Sequence, residues 1–190
     1  MKIYVFHGTK GSPDGNWFPW LKRVGATLGH EVVTPRLPTP EGHSLAAWLA
    51  AVEEQCGEIS SDAILVGHSL GAVLCMRLLE RLKSPVRGTI LVAPPYRDIG
   101  IQEYDDLNAS FFPEPFNWDS IKARAGAISL IVGDKDPYVP HDHFLIYSKG
   151  LDIPPIVVTS GGHLNSESGF VTFPLIKELL ERIADENKKN

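Results

Sequence analysis

Gly67-His68-Ser69-Leu70-Gly71 places a serine between two glycines at the spacing G-x-S-x-G. Four apolar residues, Ala63 to Val66, lead into it as a parallel strand buried on both faces would, and Leu70, Val73, Leu74, Leu78 and Leu82 follow at helical spacing. A serine on a sharp turn from strand to helix stands clear of the backbone, and small residues two before and two after let the two elements approach. The bare pattern also fits a glycine-flanked turn with a capping serine, so its setting decides. A serine hydroxyl is a weak nucleophile until a base takes its proton and a third group orients that base.

Both partners are available downstream. Ala127 to Val132 reads as a strand that runs into Gly133-Asp134-Lys135-Asp136-Pro137-Tyr138-Val139-Pro140. Of the two carboxylates, the spacing G-x-x-D-x-x-V selects Asp136 as the orienting acid and leaves Asp134 as a turn former. The last strand, Pro155 to Thr159, delivers His163 in the glycine-rich loop Ser160-Gly161-Gly162-His163, where the ring is free to swing toward Ser69. The chain order Ser69, Asp136, His163 is the order used by α/β-hydrolases. Near the start, His7-Gly8-Thr9 follows a first strand, Lys2 to Phe6; the Thr9 and Leu70 amides are the candidates for an oxyanion hole.

The elements that position these residues alternate between strand and helix, which implies an α/β fold with a mostly parallel central sheet and helices on both faces. Helices are expected over Trp17 to Leu28, Leu45 to Cys56 with Ser44 as N-cap, the segment after Ser69, Pro140 to Tyr147, and Phe173 to Ile183. Strands are expected at Glu31 to Thr34 and Val86 to Ala93 as well. From Tyr96 to Trp118 periodicity is lost while aromatics and prolines accumulate, so residues 94–119 are expected to form a cap over the serine. Tyr96, Phe111 and Phe112 from this cap, with His7 and Gly8, are the expected substrate-binding residues. The competing reading has the rings only packing a long loop onto the body. His43 reads as a solvated loop histidine. In His141-Asp142-His143 the i,i+2 spacing sends the two imidazoles to different sides of a helix, so no metal site is expected.

A chain of 190 residues suits one domain, since a globule of this size buries about 70% of its unfolded surface. A formal charge of −5 without a basic block argues against nucleic acid or an anionic membrane as partner. No apolar segment approaches the ~20 residues of a membrane span, and a cytoplasmic location is expected. Cys56 and Cys75 sit among aliphatic neighbours on expected helices and read as reduced core thiols. The charged run from Asp185 to Asn190 reads as a fraying helix end. No cofactor is expected.

The chain resembles the small serine-hydrolase family typified by retinoblastoma-binding protein nine and its bacterial relatives. The likeness runs nearly the full length and rests on His7-Gly8 followed by Trp17-Phe18-Pro19-Trp20-Leu21, on Gly67-His68-Ser69, on Asp136-Pro137-Tyr138-Val139-Pro140 and on Gly162-His163-Leu164-Asn165. It implies a minimal α/β-hydrolase with a modest cap and Ser69, Asp136 and His163 as triad. One departure matters. Where the mammalian member carries L-x-C-x-E, this chain has Glu54-Gln55-Cys56-Gly57-Glu58, so no retinoblastoma-type partner is carried over. The expected activity is hydrolysis of a small-molecule ester or amide through an acyl-enzyme. The alternatives are a partner-binding protein on a hydrolase scaffold and a small peptidase using the same triad.

Overall fold

Ile3 and Val5 face one side of the first strand and Tyr4 and Phe6 the other, and all four are buried. A strand covered by helices on both faces has no wet side to leave polar. In the computed structural model, which describes residues 1–186, six strands form one sheet. They are β1 (Lys2–Phe6), β2 (Glu31–Val33), β3 (Ile64–His68), β4 (Gly88–Val92), β5 (Ala127–Gly133) and β6 (Ile156–Val158). All neighbours are parallel, in the order β2-β1-β3-β4-β5-β6.

Seven α-helices accompany the sheet among the described residues: α1 (Phe18–Thr27), α2 (Leu45–Cys56), α3 (Leu70–Leu79), α4 (Gln102–Asn108), α5 (Trp118–Arg124), α6 (His141–Leu151) and α7 (Pro174–Glu186). Side chains from α1 and α7 pack with Ile3, Val5, Ile64, Val66, Ile90, Val92 and Ile131 on one face. Those from α2, α3, α5 and α6 pack with Tyr4, Phe6, Leu65, Leu91, Leu130 and Val132 on the other. The alternation along each strand assigns its residues to two cores. Ser44 Oγ accepts from the Ala47 amide at 3.2 Å and starts α2; Gly57, at φ 65°, ends it.

Residues 94–119 hold more regular structure than their lost periodicity suggests. They contain α4, a 3₁₀ turn at Ala109–Phe111 and the start of α5. Two-turn helices hold too few residues for a hydrophobic period to show. Their ends were better signals: the Asp105 carboxylate accepts from the Ile99 and Gly100 amides, and Asn117 Oδ1 caps Ser120 N at 3.0 Å. His43 is half-buried instead of fully solvated. Its ring sits 5.0 Å from Trp48 and 5.3 Å from Phe111, with Nδ1 2.9 Å from Thr39 Oγ1. Residues 187–190 of the charged C-terminal run lie outside the described residues.

The strand order reverses direction at β1, with β2 to one side and β3 to the other. In open parallel sheets this switch point, at the carboxyl ends of the strands, leaves a crevice between diverging connections. Gly8 and Ser69 leave the sheet side by side there, because Phe6 is in register with Gly67.

Candidate active site

Ser69 follows β3 and caps α3 with φ 55° and ψ −125°, a conformation that costs a non-glycine residue on the order of 1–3 kcal/mol. The surroundings hold it there: Ser69 N donates to Val92 O at 2.8 Å, and Ser69 O accepts from Ala72 N at 2.9 Å. Tight packing under the turn accounts for the flanking glycines. A Cβ on Gly67 would collide with the Gly71 and Ala72 backbone, and one on Gly71 with the Phe6 carbonyl. Gly8 is confined too, though less tightly, since a Cβ would lie 2.8 Å from Ser69 Cβ.

Asp136 leaves the loop after β5 with both oxygens engaged. Oδ1 accepts from the Tyr138 and Val139 amides at 2.9 and 3.0 Å, and Oδ2 lies 2.7 Å from His163 Nδ1. A carboxylate so placed can only accept, so Nδ1 carries the proton and His163 Nε2 keeps its lone pair. Asp134 is exposed and its amide only continues the sheet, donating to Val158 O at 3.3 Å. The two loops meet because Gly133 has no side chain; a Cβ there would strike the Gly162 carbonyl. Around His163, Trp17 Nε1 donates to Leu164 O at 3.1 Å and His163 N donates to Ser168 Oγ at 3.2 Å.

His68, the residue before Ser69, was not singled out by the sequence reading. It is 3% exposed and its Nε2 donates to the His163 carbonyl at 2.9 Å. Burial first, and the neighbouring His163 second, push its pKa down to about 3, so it is held neutral with the proton on Nε2. Its place inside G-x-S-x-G, directly under the serine, was the available signal.

On the other wall, the Thr9 amide takes no protein acceptor among the described residues, and Leu70 N–H belongs to the first turn of α3, where a helix leaves its amides without intrahelical acceptors. Thr9 Oγ1 donates to Asn108 Oδ1 at 2.7 Å, tying this loop to α4. Gly8, Thr9, Ser69 and His163 line one cleft of about 250 Å³.

The remaining expected substrate contacts are placed elsewhere. His7 is buried behind the cleft, with Nδ1 donating to Gly8 O at 2.9 Å and Nε2 accepting from Leu37 N at 3.1 Å, so it supports the loop instead of lining the opening. Phe111 is fully buried, its ring 4.8 Å from Trp48. Tyr96 stacks on Trp118 at 6.1 Å and, with Phe112, borders a separate depression beside Arg77 and Phe116. Aromatic rings pack where most area can be buried, and here that is the α3 face. The same segment instead gives the cleft Pro95, Ile99, Tyr104 and Asn108.

A parallel α/β sheet with a strained serine at its switch point, an acid after β5 and a histidine after β6 defines the α/β-hydrolase fold. The chain belongs to the serine hydrolase family, whose model matches residues 3–182. It is 28% identical over 182 residues to YdeN of Bacillus subtilis, covering 94% of each chain, and 25% identical over 167 residues to the serine hydrolase RBBP9 of Rattus norvegicus, covering 86% of each. The crystal structure of the B. subtilis ydeN product superposes with a TM-score of 0.88 at 26% identity, covering 97% of this chain and 98% of that one. Est1E from Butyrivibrio proteoclasticus shares the fold, with a TM-score of 0.75 at 15% identity over 97% of this chain and 88% of its own. Membership makes the chain a hydrolase of a small-molecule substrate. Among the described residues no helix is long and apolar enough to cross a membrane.

Proposed function

We propose that this hydrolase cleaves a carboxylic ester through an acyl-enzyme on Ser69, with His163 as base and Asp136 as orienting acid. The observation that carries the reading is the 2.7 Å contact between His163 Nδ1 and Asp136 Oδ2, with Oδ1 of the same carboxylate fixed by two backbone amides. It leaves one protonation pattern for the imidazole, in which Nε2 accepts the Ser69 proton as Oγ attacks the ester carbonyl. The carbonyl oxygen becomes negative, and the Thr9 and Leu70 amides are the donors offered to it. His163 then returns the proton to the departing alkoxide. Water, deprotonated by the same nitrogen, attacks the acyl-serine and releases the acid. Residues 94–119 form the cap of this site, and the chain folds as one domain.

The test is labelling of purified protein by a fluorophosphonate, wild type beside Ser69→Ala, followed by a panel of esters. Serine-dependent labelling and turnover are expected. A folded wild type that neither labels nor turns over an ester would overturn the assignment and favour a partner-binding role on the same scaffold.

A further inference from the structure

Three asparagines line the Ser69 cleft, each from a different segment: Asn16 after β1, Asn108 at the end of α4 and Asn165 after β6. In each the side-chain oxygen is already used. Asn16 Oδ1 accepts from Ser166 N at 3.0 Å, Asn165 Oδ1 accepts from Ser168 N at 3.0 Å, and Asn108 Oδ1 accepts from Thr9 Oγ1 at 2.7 Å. Backbone amides can only donate, so the orientation of Asn16 and Asn165 is fixed by their partners. What an amide held in this way can still offer a ligand is its NH₂. The Asn16 NH₂ has no protein partner among the described residues; that of Asn165 reaches Glu167 Oε2 only at a long 3.4 Å, and the buried Asn108 side chain also hydrogen-bonds the His43 ring.

The charges around the cleft do not call for an ionic ligand. Lys10 is paired with Glu103, and Glu167 receives the Tyr138 hydroxyl at 2.9 Å. Glu167 and Asp136 repel an anion, while the lysine that could balance one is engaged. Hydrocarbon wall comes from Pro95, Ile99 and Val139 and from the Tyr104 and Tyr138 rings, whose hydroxyl ends are polar; Phe111 and Phe116 are turned into the core. An alkyl chain lying here would strip water from the amide donors and return no hydrogen bond.

Building on the ester-hydrolase reading, we propose that the cleft selects a small, neutral, acceptor-rich ester, one whose acyl or alkoxy arm carries ether, hydroxyl or carbonyl oxygens, and that Asn16 is its specificity-determining residue. The cleft is smaller than the roughly 300–1,000 Å³ of drug-sized pockets, which limits each arm to a few atoms.

Two ester pairs matched in length test this. Ethyl 3-methoxypropanoate is set against ethyl pentanoate for the acyl arm, and 2-methoxyethyl acetate against butyl acetate for the alkoxy arm. Each kcat/KM is divided by the rate of hydroxide hydrolysis, which removes the inductive effect of the ether oxygen. The wild type is expected to favour the oxygenated member of at least one pair by about three- to tenfold, the worth of one hydrogen bond. Asn16→Asp keeps the oxygen that holds Ser166 N and exchanges the donor for an acceptor. It should bring the preference to unity or below, and the ratio is independent of how much of the variant is folded. A wild type that labels at Ser69 but favours the oxygenated member of neither pair, or a preference that the variant does not change, overturns this inference and leaves the hydrolase reading standing. Absence of labelling at Ser69 removes both.

Discussion

His68 Nε2 donates to the main-chain carbonyl of His163 at 2.9 Å, so the residue before the serine holds the backbone of the histidine that faces it. The two rings also meet edge to face at 4.9 Å. The contact joins the end of β3 to the loop after β6 across two intervening strands. Replacing His68 by Phe keeps a ring but leaves a buried carbonyl without a donor, which costs about 1–3 kcal/mol. For a domain of this size that lowers Tm by roughly 2–4 °C per kcal/mol. His68→Gln, which retains a donor, should recover part of the loss in the same melt. Equal Tm values for Phe and wild type would contradict the role.

Acid should destabilise the protein well above the carboxylate range. Burial lowers the pKa of His68 to about 3 and also lowers those of His7, His43 and His143, so the folded chain takes up protons on these imidazoles less readily than the unfolded chain does. The unfolded chain protonates its histidines near 6.5. Below that pH the unfolded state binds more protons, so stability is fully present above about pH 6.5 and falls on acidification, by at most about 1.4 kcal/mol per pH unit for each histidine. Urea midpoints at pH 7.5, 6 and 5 should fall in that order, and less steeply in His68→Gln. A midpoint that holds between pH 7.5 and 5 would contradict it.

The serine turn stores strain that can be measured. At φ 55° Ser69 occupies a region that suits glycine, and alanine in its place has the same difficulty. Ser69→Gly should therefore be more stable than Ser69→Ala by about 1 kcal/mol, after allowing for the greater unfolded-state entropy of glycine. Both should lose about 10⁶ in ester turnover. Thermal melting of the two inactive variants makes the comparison, and a more stable alanine variant would refute the strain.

Asp136 and Asp134 are separated by a single residue and should respond very differently. Asp136→Asn turns one oxygen into a donor that faces either His163 Nδ1 or the two amides, and in the serine-protease case the wrong histidine tautomer costs about 10⁴ in turnover. Asp134→Asn changes an exposed side chain, and its kcat/KM should stay within about twofold of wild type. The ester assay reads both. Similar losses in the two variants would remove Asp136 from its assigned place.

The strands were legible because each is a short apolar run stopped by glycine or proline, and Leu45–Cys56 begins and ends where Ser44 and Gly57 say it should. The proposed Ser69, Asp136 and His163 stand out for a related reason: Ser69 directly follows β3 and the other two lie in the loops after β5 and β6, and parallel strands deliver their carboxyl ends to one edge. The walls of the cleft were not legible. Aromatic composition says how much area a segment will bury and nothing about the direction it faces, so Phe111 and Tyr96 went to the core side while Asn16 and Asn108, unremarkable as letters, line the opening. His43 differs from its sequence expectation likewise, because one of the rings against it, Phe111, comes from far along the chain, and the other, Trp48, from the helix that follows.

Two glycines that both crowd the site should fail in different ways when given a methyl. On Gly71 the added Cβ would meet the Phe6 carbonyl, a backbone atom in the middle of the sheet that cannot move without separating β1 from α3. Gly71→Ala should cost several kcal/mol, in the range of overpacked cores, and much of it should be insoluble or melt early. On Gly8 the nearest atom is Ser69 Cβ at 2.8 Å, followed by the His68 carbonyl oxygen and Ser69 Oγ, both at 3.3 Å, so the methyl presses chiefly on the serine side chain at the cleft surface. Gly8→Ala should fold with a Tm within a few degrees of wild type, yet lose at least about tenfold in kcat, because a displacement of the nucleophile by a fraction of an ångström spoils its approach to the carbonyl. Melting curves and steady-state kinetics on both variants separate the outcomes. If Gly8→Ala unfolds as readily as Gly71→Ala, the loop after β1 serves the fold before it serves the serine.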